Sequence, residues 1–143
     1  MEDCIVCKII KGEIPAFKVY EDDKFLAFLD INPSAAGHTM VVPKQHVSTM
    51  FELDAQALGE LYKKTCEVAM MIKNSELRPT GFNIGVNHWK TAGQELEHLH
   101  VHIIPRKEGD GGGAIQSIVK SSQGEELESM AKKIKEKLNC RKS

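Results

Sequence analysis

The sequence predicts an α+β domain: a mainly antiparallel, five-stranded sheet with a central helix and a C-terminal helix. Three observations point there. Short runs of strand character follow one another closely, with turn residues between them. Two segments of helical periodicity stand apart from those runs. The 143-residue length is enough for one hydrophobic core, and no internal repeat divides it.

The elements follow in order. "FKVYED" (17–22), "KFLAFLDI" (24–31) and "HTMVVPK" (38–44) are rich in β-branched and aromatic residues. The turn-forming "NPSAAG" (32–37) joins the second run to the third as a hairpin. A helix is predicted from Asp54 to Asn74. Leu58, Leu61, Thr65, Val68, Ala69 and Ile72 recur at its spacing, and Asp54 is placed to cap it. "GFNIGVN" (81–87) and "LEHLHVHIIP" (96–105) are two further strands. The first of these is a potential edge strand with one apolar face. A final helix spans about Glu125 to Leu138, with Leu127, Met130, Ala131, Ile134 and Leu138 on one stripe. "EGDGGG" (108–113) is too short to separate two folding units, so residues 1–143 are expected to form a single domain. The same segment lacks the lysine of a phosphate loop and reads as a mobile loop.

Alternation along the strands sorts the polar residues. His98, His100 and His102 share one face, roughly 7 Å apart, with Leu99, Val101 and Ile103 opposite. In "GFNIGVN", Phe82, Ile84 and Val86 face the core, while Asn83, Gly85 and Asn87 face the other way. Gly85 there permits a close approach to the backbone. Phe28 and Asp30 share a face, and His38 leads into the third strand. One side of the sheet is thus expected to be core, the other polar and rich in imidazole. Alternating histidines admit three readings: a solvated strand face, a metal site, or covalent catalysis, since neutral imidazole is a competent nucleophile. The glycine turn in "TAGQE" (91–95) can present N–H groups to a phosphate, which favours attack on phosphorus.

Net charge is −1, with 41% hydrophobic and 27% charged residues, so no global field attracts nucleic acid or a membrane. "MEDCIVCKII" has no basic start, and no apolar run approaches the ~20 residues of a membrane-spanning helix. A cytoplasmic protein with reduced thiols is expected. Cys4 and Cys7 form a C-x-x-C, which suits either a zinc site needing two more ligands or a redox pair. Cys66 is expected to pack and Cys140 to lie at the surface. Trp89 either covers the site or packs.

"HLHVHII" fits the alternating histidine–apolar signature of the histidine triad (HIT) family. The resemblance extends over about residues 4–120, through "CKIIKGEIPAFKVYEDDKFLAFLDINP", "GHTMVVPKQH", "NIGVN", "AGQ" and "HIIPR". It is greatest to the histidine triad nucleotide-binding branch, homodimeric enzymes that hydrolyse nucleoside phosphoramidates. "HIIPRKEGD" is also similar to the branch that cleaves dinucleoside polyphosphates. A third possibility is a nucleotide-binding module without chemistry.

The resemblance implies an AMP-type purine nucleotide substrate, no organic cofactor and a homodimer. It makes His100 the nucleophile, with His102 and His38 flanking the phosphate. Asn87, Gly93 and Gln94 would contact the phosphate or leaving group, and Asp30 the ribose hydroxyls. Val6, Ile9, Ile14, Phe28 and Ile31 would line the base pocket, although the residues by themselves read equally well as ordinary core. Cys4, Cys7, His46 and His98 would hold one structural zinc per protomer. The sequence departs from the family at Glu95, where many relatives carry Ser or Thr. Glu95 either points away from the phosphate or attracts a cationic leaving group.

Overall fold

The computed structural model describes residues 3–121 and 124–136. It contains two compact units, Met1–Gly112 and Gly113–Ser143. The first carries α1 (Ile5–Ile10), β1 (Lys18–Glu21), β2 (Phe25–Leu29), β3 (Thr39–Pro43), α2 (Ala55–Lys73), β4 (Gly81–Gly85) and β5 (Val101–Arg106). Its five strands form one sheet in the order β1-β2-β3-β5-β4, every neighbour antiparallel. The second unit holds α3 (Leu127–Lys135), which contains Leu127, Met130, Ala131 and Ile134 of the expected stripe. Leu138 and Cys140 lie outside the described residues.

α2 starts where the sequence places it. The Asp54 carboxylate accepts from Ala57 N–H at 2.8 Å, a cap whose loss costs about 1 kcal/mol. Leu61, Thr65, Val68, Ala69 and Ile72 then form its buried stripe. The Thr65 hydroxyl is satisfied by the Leu61 carbonyl at 2.8 Å. This stripe packs with Phe25, Ala27, Val41, Leu99, Val101 and Ile103 into the main core. Each fully buried Leu or Val there contributes about 1.5–3 kcal/mol.

The opposite face differs from expectation. It bears a second apolar cluster of Leu26, Phe28, Met40 and Val42, covered by Val6 and Ile9 of α1. α1 was hidden in the sequence, because six residues are too few for periodicity to declare itself. Imidazoles occupy this face only farther across the sheet. One rung runs Lys18, Phe28, Met40, His102, Gly85, from the β1 edge to the β4 edge.

β5 also begins later than "LEHLHVHIIP" suggests, at Val101. Upstream, Leu99 N–H donates to Val47 O at 2.7 Å and the His98 ring reaches Pro43 O. The 98–100 stretch thus bonds to the chain that leaves β3 rather than to a ladder. Within the loop read from "EGDGGG" the structure forms a hydrogen-bonded turn. The Asp110 carboxylate accepts from Arg106 Nε and Nη2, Lys107 N–H and Gly112 N–H, closing a tight turn. Cys66, expected to pack, is exposed on α2.

Candidate active site and metal centre

The β2–β3 turn builds the first part of the site. Asp30 Oδ1 accepts from Asn32 N–H at 2.8 Å, and His38 N–H donates to Ala35 O at 3.0 Å. Gly37 turns the chain at φ +85°, where a Cβ would lie 2.6 Å from the Leu77 side chain. The turn delivers His38, buried at the start of β3, to His102 on β5.

Protons on these rings follow from their partners. Ser34 N–H donates to His38 Nδ1 at 3.0 Å, so that nitrogen carries a lone pair. Burial holds the His38 pKa below its ordinary value, against the pull of Asp30, so the ring is neutral at pH 7 and its proton sits on Nε2. His38 Nε2–H then donates to His102 Nδ1 at 2.8 Å. Burial, with His100 and His38 nearby, pushes His102 down to about 4. His102 is therefore neutral too, with its proton on Nε2. Asp30 Oδ2 stands 3.7 Å from His38 Nε2, too far for a hydrogen bond but close enough to steady the ring.

His100 is oriented separately. Its Nδ1 lies 2.7 Å from the carbonyl oxygen of His98, which can only accept. Nδ1 must carry a proton, so the neutral form of the ring has its lone pair on Nε2. The His100 and His102 rings meet edge to face, centroids 4.8 Å apart. A lone pair on one imidazole thus stands beside an N–H on the next.

His98 takes another direction. Cys4 and Cys7 sit one turn apart at the start of α1, and the Cys4 sulfur accepts from Cys7 N–H. Their sulfurs, His46 Nδ1 and His98 Nδ1 all lie within 4.8 Å of one another. The separations are Cys4–His98 3.5 Å, Cys7–His46 3.3 Å, Cys7–His98 3.6 Å and His46–His98 3.2 Å. A tetrahedral zinc with Zn–S ~2.3 Å and Zn–N ~2.0–2.1 Å separates such atoms by roughly 3.3–3.8 Å. The donor set fits that ion. His98 Nε2 lies 2.8 Å from Pro43 O, which fixes the tautomer and turns the Nδ1 lone pair into the cluster. Burial, with the neighbouring Cys4 sulfur, pushes the Cys7 thiol up, so a cation is what would let that sulfur ionise.

The loop from Asn87 to Leu96 supplies the remaining candidates. Gly93 turns the chain at φ +96° beside Asn87; a Cβ there would lie 3.6 Å from the Asn87 amide nitrogen. Gln94 spans the loop: Oε1 accepts from Trp89 N–H at 2.8 Å, while Nε2 donates to Ser48 O and Leu96 O. Glu95 lines a cavity of about 340 Å³ with Cys4, His46 and Glu97, beside the thiol–imidazole cluster. Of the apolar candidates, Val6, Ile9 and Phe28 are buried in the second core, Ile14 packs against it, and Ile31 is exposed. Ser34, Pro43 and Ser48 act here through backbone groups, which no side-chain pattern signals.

An antiparallel α+β unit with imidazoles paired in this way defines the class of protein. The HIT domain family matches residues 11–109, and the chain belongs to that family. It is 51% identical over 108 residues to a HIT-like protein of Methanocaldococcus jannaschii, covering 76% of this chain and 82% of that one. It is 34% identical over 138 residues to an adenosine 5′-monophosphoramidase of Candida albicans, covering 94% and 91%. A HIT family protein from Bacillus anthracis superposes with TM-score 0.84 at 38% identity over 97% of this chain and 96% of its own. A zinc-bound histidine triad protein from Mycobacterium smegmatis does so with TM-score 0.74 at 35% identity, covering 77% and 79%. Among the described residues no helix is long and apolar enough to cross a membrane.

Proposed function

We propose that the chain hydrolyses nucleoside phosphoramidates of the AMP type through a nucleotidyl-histidine intermediate. The observation that carries this reading is the tautomer set by the His98 carbonyl, which leaves His100 Nε2 unprotonated. Nε2 attacks the α-phosphorus and the phosphorus–nitrogen bond breaks, the departing amine taking up a proton from solvent water. Positive charge that develops on the ring is shared with the His98 carbonyl through Nδ1–H. His102 Nε2–H donates to a non-bridging phosphoryl oxygen, held in aim by His38. Water then attacks phosphorus, the bond to Nε2 breaks, and the proton consumed in the first step is returned. Asn87 and Gly93 face the phosphate, with Gln94 holding their loop in place. Oδ2 of Asp30, which faces His38 without a hydrogen bond, accepts from the ribose. Ile31 and Ile14, backed by Val6, Ile9 and Phe28, form the wall against the base.

The relative that is a monophosphoramidase supports this substrate class. A structural zinc on Cys4, Cys7, His46 and His98 belongs to the same reading, supported by the donor geometry and the zinc-bound relative. So does a homodimer formed along the β4 edge. Its support is a groove of about 300 Å³ beside that edge, lined mainly by apolar groups of Tyr62, Ala69, Met70, Phe82 and Ile84. The deciding experiment is a turnover panel of adenosine 5′-phosphoramidate, AMP–lysine and diadenosine polyphosphates. Faster turnover of the phosphoramidates sustains the reading. Preference for the dinucleotides replaces it with a polyphosphate hydrolase, and AMP binding without turnover leaves a binding module.

A further inference from the structure

Three aromatic rings gather where the loop that follows Asn87 meets Phe51, in the short helical turn Met50–Glu52. His88 packs against Phe51 with ring centroids 4.2 Å apart and against Trp89 at 4.5 Å; Phe51 and Trp89 meet edge to face at 5.9 Å. Trp89 is 63% exposed and Phe51 58%, so the cluster presents a broad aromatic surface rather than filling a core. His88 Nε2 is buried within it and finds no hydrogen-bond partner among the described residues.

The backbone makes this placement harder to dismiss as a surface accident. Trp89 lies at φ +68°, ψ 166°, a region that glycine occupies and bulky residues avoid at a cost. Its neighbours hold it there. Trp89 N–H donates to Gln94 Oε1, and Trp89 O accepts from Ala92 N–H and Gln94 N–H. Gln94 Nε2 in turn reaches Ser48 O, three residues before Phe51. One amide side chain therefore fixes both arms of the platform. Trp89 is two residues from Asn87, at most ~7 Å along an extended chain. A group attached to a phosphate held by Asn87 and Gly93 is within reach of its ring.

We propose that Trp89, backed by His88 and Phe51, is a specificity-determining residue that stacks a planar aromatic leaving group on the α-phosphate. This rests on the phosphoramidase reading above and names the leaving-group class of that site. A flat ring gains from the faces of tryptophan and phenylalanine what a saturated ring of equal size does not.

Two AMP phosphoramidates test it, one joined to benzylamine and one to cyclohexylmethylamine. The wild-type protein favours the benzyl compound through KM. Trp89→Ala raises that KM about tenfold, near the low end of one aromatic stack, and changes kcat/KM for the cyclohexyl compound less than twofold. Trp89→Phe restores most of the preference. Equal losses on both substrates, or no change in the benzyl KM, overturn the proposal. Trp89 is the sole tryptophan of the chain, so its fluorescence supplies a readout independent of turnover. In His100→Ala, titration with the benzyl compound quenches the emission more than the cyclohexyl compound does; equal quenching also overturns it. If the wild type hydrolyses neither compound, the phosphoramidase reading fails, and the fluorescence comparison still decides the stacking.

Discussion

His38 Nε2 and His102 Nδ1 stand 2.8 Å apart, and the Ser34 N–H on the far side of His38 decides which of them carries the proton. A relay that starts at a backbone amide thus ends in an N–H donor on His102. The His100 ring beside it is set by a different backbone group, the His98 carbonyl.

His100→Ala is expected to lower phosphoramidate turnover by something on the order of 10³-fold or more, as loss of a nucleophile does, with AMP affinity nearly unchanged. Steady-state kinetics with equilibrium binding checks it. Near-normal turnover would remove His100 from the chemistry.

Acid should destabilise the fold in a defined window. His102 has a folded pKa of about 4 against an ordinary 6.5, and His38 is shifted the same way by burial. Between those values the unfolded chain binds more protons, so stability rises with pH there. It is complete above about pH 6.5 and is lost as pH falls towards 4. Thermal melts across this range should show the decline, with a shallower slope in the His38→Asn/His102→Asn double variant.

Elemental analysis of protein purified without chelator should find one zinc per chain. Cys4→Ser should lower the melting temperature by several degrees while kcat/KM changes less than about threefold, since a closed four-ligand site contributes to folding rather than to chemistry. Metal-free protein that melts at the same temperature would refute this.

Glu95 stands beside Cys4 and His46 in the cavity next to the thiol–imidazole cluster. Glu95→Ser should therefore change cleavage of AMP–lysine and of an AMP ester with a neutral leaving group by the same factor. A selective loss on AMP–lysine would show that the carboxylate reaches the leaving group.

Sedimentation at micromolar concentration should give twice the 15.9 kDa chain mass. Ile84→Asp, on β4, should shift the species towards the monomer. A wild-type monomer would leave β4 as a free edge.

The sequence was most legible where one residue type repeats at one period. The α2 stripe ending at Ile72, the Asp54 cap and the β2–β3 hairpin were all visible in it, and so was the sharing of a face by His100 and His102. The second core was not, because Leu26 and Phe28 alternate with equally apolar neighbours and a strand buried on both faces has no period to read. Backbone partners were equally silent: Ser34, Pro43 and the His98 carbonyl act through groups every residue possesses. The turn at Asp110 was hidden for the opposite reason, its glycines suggesting freedom that one carboxylate with four donors removes.

His98 meets two demands with two different parts of itself. Its ring belongs to the sulfur cluster, whereas His100 depends on its carbonyl, which any amino acid would supply. The thiol–imidazole cluster is therefore separable by mutation from the orientation of the His100 ring. A lineage could lose Cys4, Cys7 and His46 one at a time, replace the ring at position 98 with another side chain of similar bulk, and inherit the carbonyl that orients His100 intact. Selection can tune durability and reactivity on independent tracks.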